Sequence, residues 1–437
     1  MTRTIITNAS IVTCDDAGSV LTGASVAIED RLITAISSAR IDERPGDVVI
    51  DAHGGIVMPG LVNAHTHLAM TLLRGVADGT DLEAFLATLL PIEGALVDAE
   101  VAATGNELAA VELLRSGCTA ALDMYFFPGS ARAAAARVGI AVHTGPVFIE
   151  FPGPDDLVWP ARLAWSRRYL EAQDADNRWV CPHSTYLLSE DQLRDVAVLA
   201  GETGARVHVH AAETIAEIAQ VAQRHGGRTP VQVLADVGLL HDRTVLAHAV
   251  HVTDADIDLI AAAGAHVSHN PASNAKLASG LAPVRKMLDA GVNVALGTDG
   301  ASSANDLDLW MAMRLASFLP SIMHGDPGEI TATDVVRMAT MNGAKALGRR
   351  STHGSVEVGK VADVVVLDGR AAAITPSHDP LSTLAYSTSR AEVSHVFVAG
   401  AHVVDGGRVV TVPVDLHDRV AVLADRVVEL RRAGGVS

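Results

Sequence analysis

Residues 60–67 read GLVNAHTH and residues 206–213 read RVHVHAAE. Each is a short apolar run that closes on two histidines one residue apart. Side chains alternate faces along a strand, so His65 and His67 share a face about 6.5–7 Å apart, as do His208 and His210. Two imidazoles at that distance can share one ion, although the same pattern also fits a strand with a polar edge. Position decides between the readings, because the histidines lie where the runs stop. Six further runs have the same form: CTAALDMYF (118–126), GIAVHTGPVF (139–148), WVCPHSTY (179–186), TVLAHAV (244–250), AHVSHNP (265–271) and NVALGTD (293–299).

Between most of these runs lie helical patterns that end at glycine, such as SEDQLRDVAVLAGETG (189–204) and DADIDLIAAAG (254–264). Eight strands each followed by a helix across residues 59–355 predict an α/β fold, the (β/α)8 or TIM barrel. Such barrels place their sites at the C-terminal ends of the strands. Those ends here carry His65, His67, Asp123, His183, His210 with Glu213, His248, His269 and Asp299. Outside the barrel the texture changes. Residues 1–58 hold short β-branched runs such as TIITNASIVTC, and KVADVVVLDG and VSHVFVAGAHVVDGGRVV resume them near the other end. The expectation is a small β-sandwich domain formed by both termini, from residues 1–58 and 356–437, the latter with a C-terminal helix.

Composition narrows the function classes. The chain has 437 residues, 49% of them hydrophobic, and a formal charge of −18, so it can bury a large core but lacks the clustered Lys and Arg of a nucleic-acid surface. No signal-type h-region opens the sequence and no run approaches the ~20 apolar residues of a membrane span. A cytoplasmic protein with no membrane or nucleic-acid partner is expected. Cys14, Cys118 and Cys181 are widely spaced and odd in number, which predicts reduced, structural thiols.

The strand-end residues suggest chemistry. Three neutral imidazoles and a carboxylate suit zinc or a similar divalent ion with one position open to water, whose pKa then falls to ~7. Two-metal barrels of this type commonly bridge their ions with a carboxylated lysine, but the first lysine here is Lys276. Cys181 is the remaining bridging candidate, and one metal is preferred. Each residue also has an ordinary reading. His208 competes with His210, and the strand end favours His210. His251 competes with His248 on the same ground. His183 follows a proline and reads as a substrate contact or as a partner for backbone groups. His266 and His269 read as structural, Asp123 as an organiser of its loop, and Glu213 as a first-turn acid of a helix.

Taken together, PGLVNAHTHLAMTLLRG, the HAAE stretch, LAHAV, SHNPASNAKLASGLAPV, ALGTDGASSANDLDLW and HGSVEVGKVADVVVLD resemble the amidohydrolase superfamily over nearly the whole chain. The resemblance is to its branch of methylthioadenosine and S-adenosylhomocysteine deaminases and related triazine hydrolases. It implies one zinc per chain, or Fe2+ or Mn2+ in its place, held by His65, His67, His210 and Asp299. It implies that Glu213 protonates a ring nitrogen, that His248 hydrogen-bonds the nucleophile, and that Asp299 shuttles the proton taken from water. Substrate contacts would come from His183, Glu93 of the LPIE stretch on ribose hydroxyls, Ser303 near the purine, and Phe85. The implied reaction is hydrolytic deamination of an adenosine-type nucleoside by hydroxide attack at purine C6, giving the inosine analogue and ammonia. Dimers or tetramers are usual among such relatives, so a homo-oligomer is expected.

Two departures bear on the substrate. Phe85 stands where close relatives often carry tryptophan, and Thr144 in HTGPVF stands where some use arginine to grip the homocysteine carboxylate. Arg162 and Arg74 are the candidates to replace it. The balance moves toward methylthioadenosine or adenosine and away from S-adenosylhomocysteine. The rival readings are a hydrolase of another aminated heterocycle, of guanine, pterin, cytosine or triazine type, and a non-enzymatic relative that keeps the barrel for assembly.

Overall fold

The structure is a computed structural model that describes residues 3–433; residues 1–2 and 434–437 of the expected terminal segments lie outside the described residues. Strands Leu61–Thr66, Cys118–Asp123 and Ala141–His143 form one parallel ladder. Strands Val147–Phe148, Trp179–Pro182, Arg206–Ala211, Thr244–His248, His266–His269 and Asn293–Leu296 form a second, also parallel and in chain order. Helices such as Ala99–Arg115, Glu190–Thr203, Asp254–Ala263 and Leu309–His324 lie between or after them. This is the architecture of a (β/α)8 barrel.

The two ladders meet inside the third run, which the sequence reads as one strand. Gly145 and Pro146 interrupt it. Proline has no N–H to give a ladder, and a Cβ on Gly145 would lie 1.8 Å from the Trp179 carbonyl oxygen, so the chain passes too close for any other residue. On the opposite side, no ladder joins the last strand to the first among the described residues. Asn63 spans that seam, donating from Nδ2 to Thr298 Oγ1 at 2.7 Å and accepting the Thr298 N–H at 3.1 Å. The Asp299 N–H reaches the His65 carbonyl at 3.0 Å. A side chain and a strand-end amide thus hold the first and last strand ends side by side.

Helix bounds follow local chemistry. Glu190–Thr203 starts at a Ser189–Gln192 capping box and stops at Gly204 with φ +68°, and Asp254–Ala263 starts at Thr253–Asp256 and stops at Gly264 with φ +67°. The alternation within Arg206–Ala211 sends Val207 and Val209 into the core shared with the helices. His208 and His210 take the other face and meet the first strand's histidines.

Strands from both ends of the chain combine in one nine-stranded sheet. Its junction is the antiparallel pairing of Ile56–Pro59 with Val364–Leu367, and Ile56–Pro59 leads through Gly60 straight into the first barrel strand. That short connection fixes the HTH stretch to the sheet. The C-terminal helix Leu416–Ala433 returns to the barrel, where Arg419 donates to Thr104 and pairs with Glu107. No described helix is long and apolar enough to cross a membrane.

Candidate active site

The ends of three strands bring four donor groups to one point. His65 Nε2 and His67 Nε2 lie 3.3 and 3.2 Å from Asp299 Oδ1, and His210 Nε2 lies 3.3 Å from His67 Nε2. The opposite ring nitrogens are held from outside: His67 Nδ1 by the Met124 carbonyl at 2.6 Å, His210 Nδ1 by the His183 carbonyl at 2.8 Å, and His65 Nδ1 by His208 Nε2 at 2.9 Å. Donating Nδ1–H to a fixed acceptor leaves the Nε2 lone pair aimed inward. His208 therefore stands behind His65, one step from the point where His210 converges.

Asp299 is oriented as firmly. Its Oδ1 accepts the Gly300 N–H at 2.8 Å, and its Oδ2 accepts hydroxyls of Ser273 at 2.6 Å and Ser303 at 2.8 Å. Burial opposes its charge, but the contacts with His65 and His67 outweigh burial and hold the carboxyl well below the usual range. Burial pushes the imidazole of His65 down to about 3 and that of His210 well below its ordinary value. Burial also opposes the charge of His67, yet Asp299 overcomes it and raises that ring to about 9.

These groups fit a divalent cation. His65 Nε2 is buried with no properly directed hydrogen bond even though Asp299 Oδ1 is near, and the ligand atoms of His65, His67 and His210 lie within 4.8 Å of one another, as do those of His65, His248 and Asp299. Imidazole nitrogens and one carboxylate are the donors that zinc-type ions take.

His67, His210 and Asp299 of the cluster line a cavity of about 390 Å³, with His65 fully buried behind them. Glu213 is buried in its wall, and burial raises its carboxyl above the ordinary value against the opposing pull of His248. Its backbone is pinned by Glu217, whose carboxylate accepts the N–H groups of Ala212 at 3.0 Å and Glu213 at 2.6 Å. His248 Nδ1 donates to Asn274 Oδ1 at 2.9 Å, and its Nε2 faces Glu213 at 3.7 Å. His251 instead bonds the Ser279 carbonyl. The His183 ring lines the cavity and meets the Ser184 hydroxyl, while its carbonyl accepts His210 Nδ1. Asp123 caps the loop after the HTH stretch through the Leu68 N–H at 2.7 Å. At the far wall Glu93 is buried and accepts the Tyr125 hydroxyl, and Phe85 packs in the same helix. Ser303 lies in the lining with its hydroxyl turned onto Asp299.

Sequence reasoning did not find Ser273, Asn274, Glu217 or Tyr125. It also left the two arginine candidates open, and both are engaged elsewhere. Arg162 makes a two-pronged pair with Asp155 and bonds two carbonyls, and Arg74 pairs with Glu112. Among the described residues no Lys or Arg lines the cavity.

Residues 56–406 match the model of the Amidohydrolase family. A 5′-deoxyadenosine deaminase of Methanothermobacter thermautotrophicus is 40% identical over 390 residues, covering 88% of this chain and 90% of that one. A 5-methylthioadenosine/S-adenosylhomocysteine deaminase of Halobacterium salinarum is 43% identical over 82% of this chain and 84% of its own. Among solved structures, an adenosine deaminase from Xanthomonas campestris with bound zinc is 34% identical with a TM-score of 0.92, covering 98% of each chain. A triazine hydrolase at 24% identity and TM-score 0.89 shares the fold.

Proposed function

The chain belongs to the amidohydrolase family, and on that premise we propose that it deaminates an adenosine-type nucleoside with an uncharged 5′ substituent, giving the inosine analogue and ammonia. The observation that carries this reading is a cavity lined by His67, His210 and Asp299, with His65 behind them, and by buried Glu213 and Glu93. His65, His67, His210 and Asp299 would hold one zinc ion. When bound, the ion supplies Lewis acidity that makes water a nucleophile near neutral pH.

The protein's own residues supply the proton traffic. Burial favours the neutral, protonated form of Glu213, which suits it to donate to the ring nitrogen next to the attacked carbon. Asp299, held as a carboxylate, takes a proton from water and returns it to the departing amine. His248, fixed by Asn274, directs its Nε2 toward the reacting oxygen. His183 packs beside the ring. Glu93, in the same lining, would accept from the ribose hydroxyls, and Tyr125 donates to its carboxyl.

The 5′ end would meet Phe85, Leu86, Leu90, Phe126, Ile149 and Phe151, and apart from histidine the charged groups of the lining, Asp156 among them, are all acidic. That wall suits a 5′-deoxy or methylthio group. It offers a homocysteine carboxylate no cation, and each missing charged hydrogen bond is worth ~1.5–3 kcal/mol, or roughly 10–100-fold.

The test is kcat/KM measured on 5′-deoxyadenosine, 5′-methylthioadenosine, adenosine and S-adenosylhomocysteine, following ammonia release. The first two should exceed S-adenosylhomocysteine by at least about tenfold. No turnover of any of them would refute the reading. A reading as a hydrolase of a free aminated base is opposed by Glu93, and it would gain if Glu93→Gln left nucleoside turnover unchanged.

A further inference from the structure

A second cavity, of about 590 Å³, lies at the other end of the barrel, against the terminal sheet. Barrel residues Arg132, His143 and Tyr169 and sheet-side residues Arg31 and Asp363 face it, with Arg349 from the segment that joins the two. Its charge is opposite to that of the chain as a whole. Three guanidiniums line it against one carboxylate, in a protein of formal charge −18. Asp363 is already committed, accepting the Ala399 N–H at 2.7 Å with His353 at 4.0 Å.

None of the three arginines makes a direct ion pair among the described residues, and Asp363 acts on Arg31 and Arg349 only at longer range. Among the described residues Arg31 and Arg349 make no ion pair and no side-chain hydrogen bond, and Arg132 bonds the amide oxygen of Gln173 and the Tyr169 hydroxyl oxygen, neither of them charged. Two further donors are orphaned. His143 is 3% exposed and neither ring nitrogen has a partner, and the Tyr169 hydroxyl, buried against Arg132, has no acceptor for its proton. Burial and the surrounding arginines keep the His143 ring neutral, with its pKa lowered to about 3, so it offers one N–H and no charge. Buried polar groups without partners are uncommon in folded proteins and call for an explanation.

We propose that this cavity binds a phosphate dianion, free or carried as a monoester, between Arg31, Arg132 and Arg349 with His143 and Tyr169 donating. Guanidinium forks match oxyanion geometry in pairs, and three cations against one carboxylate leave two positive charges for two negative ones. The alanines and Ile140 of the lining leave space beyond the phosphate for a small organic body. Because its contacts come from both the barrel and the sheet, a bound phosphate ties the two together at a distance from the catalytic cluster.

The experiment titrates the metal-loaded full chain, in buffer free of phosphate and sulfate, with orthophosphate in one arm and ribose 5-phosphate in the other, read by calorimetry. One saturable site per chain is expected. Tighter binding of ribose 5-phosphate identifies an ester as the occupant, and equal or tighter binding of orthophosphate identifies the free ion. Arg132→Gln and Arg349→Gln should each weaken binding by at least about tenfold, and the exposed Arg31→Gln, which spares the packed residues, should weaken it in the same direction. All three variants should deaminate nucleoside at the wild-type rate without phosphate, which also verifies folding. The proposal is overturned if neither arm saturates at millimolar ligand, if binding survives the substitutions, or if nucleoside substrate displaces the anion, since that would place it at the metal cluster.

Discussion

Replacing Ser273 by alanine tests how the carboxylate of Asp299, a proposed metal ligand, is held. Asp299 Oδ2 accepts two hydroxyls, from Ser273 at 2.6 Å and Ser303 at 2.8 Å, and Ser273 is completely buried. A hydroxyl bound to a carboxylate contributes ~1.5–3 kcal/mol. Because Ser303 remains, the lower part of that range applies, and ~1.5–2 kcal/mol corresponds to roughly a 10–30-fold loss. The Ser303 hydroxyl also lies 3.0 Å from the Gly300 carbonyl, so its single proton is divided between two acceptors. Ser303→Ala should therefore cost less than Ser273→Ala. Removing both leaves Oδ2 buried without a donor, and the double variant should lose more than the two single losses combined. The assays are kcat/KM on 5′-methylthioadenosine and the rate at which a chelator strips metal from the protein. If Ser273→Ala stays within about twofold of wild type in both, or Ser303→Ala is the more damaged, the account of Asp299 is wrong.

Further expectations follow from the same geometry. Glu213→Gln should lower kcat by ~10²–10⁴ while metal content is unchanged, measured by steady-state kinetics and metal analysis. Metal removal by a chelator should abolish turnover, which zinc should restore, and should lower Tm because His65, His67 and His210 lose their shared partner. Burial raises the Glu217 carboxyl from 4.5 to about 7, so between those pH values the folded chain holds a proton that the unfolded chain has released. Stability from this group is complete below pH 4.5 and is lost as pH rises through about 7. Wild type should thus lose ~3 kcal/mol relative to Glu217→Gln across that window. Parallel denaturant curves for the two proteins would detect it, and equal slopes with pH would refute it.

The architecture was legible because the barrel's strands are apolar runs that stop at a ligand-type residue, and their helices carry punctuation such as Ser189–Gln192 and Gly204. The convergence of His65, His67, His210 and Asp299 was legible for the same reason, since strand ends share one mouth. The residues behind it were not. Ser273 and Asn274 sit in a short helix after the seventh strand, Pro271–Lys276, and nothing periodic marks them as facing Asp299 and His248. Glu217 reads as an ordinary capping residue three places after Thr214, yet its carboxylate turns back to Ala212 and Glu213. Tyr125 is one aromatic in DMYFF, and only its contact with Glu93 distinguishes it. The break in the third strand had a signal in Gly145 and Pro146, which the apolar run around them outweighed.

Those unread residues share one physical task. Ala212, His248, Ala249 and Asp299, at the ends of the fifth, sixth and eighth strands, have φ of +56°, +77°, +48° and +61°. Side chains other than glycine avoid that region, and each such position costs on the order of 1–3 kcal/mol unless its surroundings enforce it. The left-handed turn swings His248, Glu213 and Asp299 into the mouth of the barrel instead of continuing the strand. Each turned end has its own anchor, with Glu217 on the Ala212 and Glu213 amides, Asn274 on His248, and Ser273 with Ser303 on Asp299. An anchor therefore does more than contribute one hydrogen bond. Its loss lets the strand end relax toward ordinary backbone geometry and carry its catalytic group away, so substitutions at these positions should reduce kcat more than they raise KM.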